Sequence, residues 1–300
     1  MTLPIVHHPD YDAGFPVTHR FPMGKYRALM ERLAATGLAT AANLRTTAPA
    51  PARWLDLTHD PAYVGQVLSC SVPKEIEREI GFAVDERVSR RAQLATAGTL
   101  LAARLALENG IACNTAGGSH HARRAQGAGF CTFNDVGVAA SVLLGEDFAG
   151  QILVLDLDVH QGDGTADIFA GDYRVFTFSL HGERNYPVRK IASDLDIGLP
   201  DGTGDAAYLD ALRVALGMLD ARVRPDLVFY NAGVDPHRDD RLGRMALSDN
   251  GLRERDRIAI GHFRERGAAV CGVIGGGYSN DVEALARRHA ILFEVAGEFV

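Results

Sequence analysis

Residues 153–164, LVLDLDVHQGDG, set three acids and a histidine in a run that otherwise reads as a buried strand. An isolated carboxylate is expensive to bury, so Asp156, Asp158 and Asp163 need partners. In a strand, residues i, i+2 and i+4 share a face. Asp156, Asp158 and His160 then line one side, and Leu155, Leu157 and Val159 the other. Carboxylate oxygen and neutral imidazole nitrogen are ordinary ligands for Zn²⁺, and a catalytic zinc takes three protein ligands and keeps one position for water. Asp158 and His160 can supply two, and Asp235, closing the run LVFYNAGVD, a third from another strand end. Taken singly, each residue has a plainer reading: an Asp after a strand caps a turn, and a His in such a run is a hydrogen-bonded core residue.

Two further stretches extend the set. In NTAGGSHHARRAQGAGFCTFND, Gly117 and Gly118 permit a tight turn ahead of His120 and His121. These histidines suit general bases, metal ligands or a solvated loop, and the doublet His7–His8 shows that adjacency alone carries little. What gives them weight is that Asp156 and Asp163 are left over once Asp158 goes to a metal. A carboxylate on one imidazole nitrogen fixes the tautomer and raises the basicity of the other. Two spare acids and two histidines make two Asp–His pairs. In VIGGGYSND, Gly275–Gly277 precede Tyr278. The pattern lacks GxGxxG or GxxxxGK[ST], which disfavours phosphate binding. A turn presenting a tyrosine hydroxyl, able to stabilise an oxyanion near a metal, fits better than a phosphate loop, although the motif standing alone would read as an aromatic covering the sheet end.

These residues need a scaffold that brings them together. Helical spacing is evident in MGKYRALMERLAAT, in DPAYVGQVLS with its Asp-Pro start, in residues 86–109, and in NDVGVAASVLLGE capped by Asn134 or Asp135; further helices are expected near 204–222, 251–267 and 281–289. QILVLDLDV, YRVFTFSLH, PDLVFYNAGV and AAVCGVIGGG read as buried strands, and TTAPAPARW as a loop before a strand. Apolar strands alternating with helices predict an α/β fold with a mainly parallel sheet covered on both faces. In such sheets ligands bind beyond the carboxyl ends of the strands. That is where DLDVHQGDG, SLHGERNYP, NAGVDPHRDD and GGGYS fall.

The 300 residues contain no repeat and no boundary signal, so residues 1–300 are read as one domain. Hydrophobic residues make up 47% and charged residues 23%, a globular composition. No apolar run is long enough for a membrane span, and the N-terminus does not read as a signal peptide. Four scattered cysteines, Cys70, Cys113, Cys131 and Cys271, suggest free thiols in a reducing cytoplasm. The net charge of −7, with no basic run, gives no support for direct nucleic acid binding and mildly favours cationic substrates.

Taken in order, HRFPMGKY, HDPAYV, GGSHHA, GFCTFND, DLDVHQGDGT, FSLH, AGVDPHRDD and GGGY make the chain resemble the histone deacetylase family within the arginase/deacetylase superfamily. The matching pieces run from residue 19 to residue 278, and the loop LHGERNYP and the short length are closer to the bacterial and class IV branch. The resemblance implies a single α/β domain with a central, mainly parallel eight-stranded sheet flanked by helices. It implies one Zn²⁺ per chain on Asp158, His160 and Asp235. His121, paired with Asp163, would be the main general base and acid, and His120, paired with Asp156, would tune charge. Tyr278 would bind the substrate carbonyl and then the oxyanion. Gly129, Phe130, Tyr186 and Gly276 would line an acyl-lysine channel. A structural K⁺ would sit among Asp156, Asp158, His160, Ser179 and Leu180. The implied reaction is removal of acetyl or other acyl groups from lysine side chains or related amines, including acetylpolyamines and other small acetylated amines.

The chain departs from the family at Gln161, where many members carry a second histidine, and in the SLHGERNYP loop; no residue is assigned to the acidic rim position of class I enzymes. An arginase-like site with two Mn²⁺ needs more Asp and His ligands than DxDxH and the single Asp235 provide. A non-catalytic ligand-binding relative is disfavoured because every ligand, both histidines and the tyrosine are present.

Overall fold

The computed structural model describes residues 2–146, 148 and 150–300. Eight strands form one sheet: β1 (Ile5–Val6), β2 (Leu44–Arg45), β3 (Ile111–Asn114), β4 (Ile152–Asp156), β5 (Val175–Gly182), β6 (Leu195–Leu199), β7 (Leu227–Asn231) and β8 (Ala269–Val273). Their spatial order is β2-β1-β3-β8-β7-β4-β5-β6, and every pairing is parallel. Every residue of β3, β4, β7 and β8 is buried. A parallel sheet with helices on both faces has no solvated side, which is why these strands read as continuous apolar runs. The fold is a single α/β domain, and its sheet is wholly rather than mainly parallel. Among the described residues no helix is long and apolar enough to cross a membrane.

Several local expectations meet their physical limits here. The run read as one strand through Val159 leaves the sheet after Asp156. Carboxylates take the amides that a ladder would have used: Asp156 Oδ1 accepts from Asp158 N at 3.1 Å, Asp158 Oδ1 from His160 N at 3.0 Å, and Asp235 Oδ1 from Val159 N at 2.9 Å. Asn134, not Asp135, caps its helix, accepting from Gly137 N at 2.8 Å. Asp135 is thereby free to hold the loop ahead of the histidines, accepting from Ser119 N at 2.7 Å, Gly118 N at 3.2 Å and Thr99 Oγ1 at 2.6 Å. TTAPAPARW leads into a short helix, Ala52–Leu55, rather than a strand; Pro51 precedes its first turn, where a missing N–H costs nothing. The long helix Glu86–Asn109 has the expected bounds, capped by Asp85 and stopped at Gly110. The last helix, Val282–Ala296, runs beyond the candidate near 281–289.

One side chain with no signal in the sequence ties the strand ends together. Arg255, on the helix Asp249–Arg264, is fully buried. It donates to the carbonyls of Gly233 at 2.5 Å, Leu157 at 3.3 Å and Ala232 at 3.4 Å, and to Asp256 Oδ1 at 2.9 Å. Tyr230 donates to the same carboxylate at 2.5 Å. Arg255 thus bridges the segments that leave β4 and β7. Arg255→Met should destabilise the fold by about 3–5 kcal/mol, because it strands a buried carboxylate and three carbonyls. Chemical denaturation of the purified variant measures this, and a loss below about 1 kcal/mol would remove the bridging role.

Candidate active site

Five neighbouring strands, β3, β8, β7, β4 and β5, end beside one another and send their following segments to the same crevice. The loop after β3 delivers His120 and His121, and the segment after β4 delivers Asp158, His160 and Asp163. Asp235 follows β7, Tyr278 follows β8, and Tyr186 follows β5. Asp156 closes β4 and stands in register with Ser179 on one side and Asn231 on the other.

Both Asp–His pairs form. His120 Nδ1 lies 2.6 Å from Asp156 Oδ2, and His121 Nδ1 lies 2.7 Å from Asp163 Oδ1. The two rings are 4.1 Å apart between centroids, yet their surroundings differ. Burial opposes a proton on His120, but Asp156 and Asp158 outweigh it and raise its pKa to about 9. Burial and the neighbouring His120 lower His121 to about 3, against the pull of Asp163. Asp163 pulls weakly because it is shared: Arg123 donates to its Oδ2 at 2.6 Å. The two environments thus push the histidines in opposite directions, His120 toward holding a proton and His121 toward losing one, with Nδ1 of each held by a carboxylate.

Asp158, His160 and Asp235 are buried, and their ligand atoms lie within 4.8 Å of one another. His160 Nδ1 is 3.1 Å from both Asp158 Oδ1 and Asp235 Oδ2. Burial opposes a charge on His160, but those hydrogen bonds prevail and raise its pKa to about 10. The two acids thus demand positive charge at this point, and a divalent cation on an Asp–His–Asp set meets that demand. Gly276 makes room for the group. Its N–H donates to Asp158 Oδ2 at 2.7 Å, and a Cβ there would meet Asp235 Oδ2 at 2.1 Å.

A cavity of about 350 Å³ opens onto these residues. His121, His160 and Tyr278 border it, with Gly129, Phe130 and Tyr186 along its walls. Tyr186 stands edge-on to His121, with centroids 4.7 Å apart at 88°. Phe130 lies 5.7 Å from the Tyr278 ring. Gly129 has φ +53°, and a Cβ there would sit 2.5 Å from His121 Cδ2. Phe130 also has a positive φ, +66°, a strained state for a bulky residue. It is held there because Gly129 N and Phe130 N donate to the Glu79 and Ile80 carbonyls at 2.9 and 2.7 Å. Gly276 borders a smaller adjoining recess that shares His121, Gly129, Phe130 and Tyr278 with this cavity. Ser179 and Leu180 lie on β5, where Ser179 Oγ is 3.0 Å from His181 Nδ1.

Burial, followed by the charges of Asp235 and Asp158, raises the Tyr278 phenol well above its ordinary pKa, so it remains a donor. Its backbone N–H is fixed by Asp240 Oδ2 at 2.7 Å. Sequence reading missed four supporting residues. These are Asp135 and Asp240, which hold loops, Arg123 on Asp163, and Asn231, which donates to Asp156 Oδ1 at 2.9 Å. The ARR that follows the histidine doublet was the one available signal, since a buried acid beside a histidine invites a second partner.

Comparison with known proteins agrees with this geometry. The Histone deacetylase domain matches residues 19–295. The chain is 45% identical over 296 residues to an uncharacterized protein of Picosynechococcus sp., covering 99% of both. It is 28% identical over 309 residues to histone deacetylase 2 of Arabidopsis thaliana, covering 96% of this chain and 79% of that one. The crystal structure of an HDAC homolog from Aquifex aeolicus aligns with a TM-score of 0.86 at 26% identity, covering 99% of this chain and 84% of that one. A domain match over almost the whole length, on a shared arginase/deacetylase fold, shows that the chain belongs to the histone deacetylase family.

Proposed function

We propose that the chain acts as one domain and is a cytoplasmic, zinc-dependent amide hydrolase that removes acetyl or other acyl groups from lysine side chains or related amines. The observation that carries this reading is a pair of adjacent buried histidines, each on its own carboxylate, beside the buried Asp158–His160–Asp235 group. One Zn²⁺ held by those three residues would lower the pKa of a water toward ~7 and polarise the acyl carbonyl. That only one such group occurs among the described residues supports one metal rather than two.

The protein's own groups divide the remaining work. Asp163 holds Nδ1 of His121, which leaves Nε2 to take the proton from the attacking water. Tyr278, kept protonated by burial, donates to the acyl oxygen as negative charge gathers there. Amines leave poorly without a proton, so a protonated histidine must return one to the leaving nitrogen. Phe130 and Tyr186 flank the alkyl chain and keep water from it. We assign a structural K⁺ to Asp156, Asp158, His160, Ser179 and Leu180; the register that sets Asp156 beside Ser179 supports it.

The direct test is acetate release from an acetyl-lysine peptide by protein supplied with one equivalent of Zn²⁺, with and without a hydroxamate chelator. Chelator-sensitive release is expected; no release from acetylated or longer acylated amines, with zinc bound, would overturn the reading. Tyr278→Phe should lower kcat by on the order of 10²–10³-fold; a change under about threefold would remove its role. Asp235→Ala should lose tight zinc binding, as read by elemental analysis after dialysis, and full occupancy would mean that another residue completes the set. Arg123→Ala frees Asp163 to hold a proton on His121 more strongly. Because the base must be neutral, the acid limb of the kcat/KM profile should move to higher pH by on the order of one unit. An unmoved limb would separate Arg123 from the base.

A further inference from the structure

The mouth of the cavity carries a charge that the chain average conceals. The protein bears −7, yet the residues lining this cavity include Arg20, Arg78, Arg184 and Arg244 against one carboxylate, Glu79. Arg78 approaches Glu75 only to 4.0 Å, and Arg244 meets Asp201 at 3.3 Å with both side chains partly exposed. Arg20 and Arg184 have no ion-pair partner among the described residues. The segments that carry three of these arginines are pinned. The Glu79 and Ile80 carbonyls accept from the channel residues Gly129 and Phe130. Asn185 Nδ2 donates to the Leu242 carbonyl at 2.9 Å, and Arg244 N donates to Asn185 Oδ1 at 3.3 Å.

The orientation of a substrate follows from the floor. Its acyl group must reach His121, His160 and Tyr278, so its amine portion points back to the mouth. There it meets guanidinium groups, whose forked donors match a carboxylate and repel a second cation. Charges spread over the rest of the surface matter less, because salt screens them within ~8–10 Å.

On the deacylase reading above, we propose that the substrate is an acylated amine whose amine portion carries a carboxylate at the cavity mouth, and that polycationic acylated amines are disfavoured. The mild preference for cationic substrates expected from net charge is reversed at the site.

The test compares kcat/KM for Nα-blocked Nε-acetyl-lysine as its free carboxylate, the same compound as its carboxamide, and a mono-acetylated diamine. The carboxylate should lead the carboxamide by about fivefold or more at low salt, the scale of one or two exposed ion pairs. The diamine should come last, and the lead should shrink as salt rises. Arg20→Glu combined with Arg184→Glu should bring the carboxylate-to-carboxamide ratio to about one or below, while the double Lys variant keeps it above one. Acetyl-lysine peptides with acidic flanking residues form a further arm, and a lead there but not for the single amino acid would place the carboxylate in a peptide. Equal or better turnover of the carboxamide or the diamine, across both arms, would overturn the proposal and leave the deacylase reading standing. Calorimetric affinities for the same compounds decide the matter without turnover: tighter carboxylate binding with no hydrolysis would sustain the rim and overturn the chemistry.

Discussion

Asp156, Asp158, Asp163 and Asp235 are buried at one end of the sheet, and each must be compensated where it stands. The local structure follows from how that is done. Asp156 takes His120, Asn231 and the amide of Asp158. Asp158 takes the amides of His160 and Gly276, and Asp235 that of Val159. Asp163 takes His121 and Arg123. The segments leaving β3, β4, β7 and β8 are stitched together by carboxylates rather than by further ladder. Asp158 and Asp235, gathered with His160, form a group that fits a metal site.

That arrangement makes two adjacent histidines unequal. His120 lies against Asp156 and within reach of Asp158, and these carboxylates raise its pKa despite burial. His121 has one carboxylate, shared with Arg123, and burial and the neighbouring His120 lower its pKa. Two like side chains are pushed apart in proton affinity by environment alone. The supports lie one step further out: Asp135 under the histidine loop, Asp240 under Tyr278, and Arg255 under the β4 and β7 ends. The groups of the site are thus positioned by hydrogen bonds within the chain itself. The cavity mouth differs in kind, since its arginines are exposed side chains.

Much of the centre was legible in the sequence because burying a charge is so costly that its partners must also be encoded. DxDxH in an apolar run, two histidines after paired glycines, and an Asp and a Tyr after two further strands could be matched acid to base by counting. The helix Glu86–Asn109 was legible for a different reason, since Asp85 and Gly110 mark its ends chemically. Strands β1 and β2 were not, because two residues each are too short for a period, and β6 lies at the sheet edge with alternating exposure.

By itself the sequence determined the α/β class, the residue types of the centre and their place at strand ends, because periodicity and the cost of buried charge are local properties. Tertiary structure alone decided strand order, the exit of the chain after Asp156, the close approach of Gly276 to the acids, and the opposite pKa shifts of the two histidines. It also gathered Arg20, Arg78, Arg184 and Arg244, far apart in an acidic chain, around one opening. Net charge sums over all residues, whereas a substrate feels only those within a screening length, and which residues those are is known only once the chain has folded.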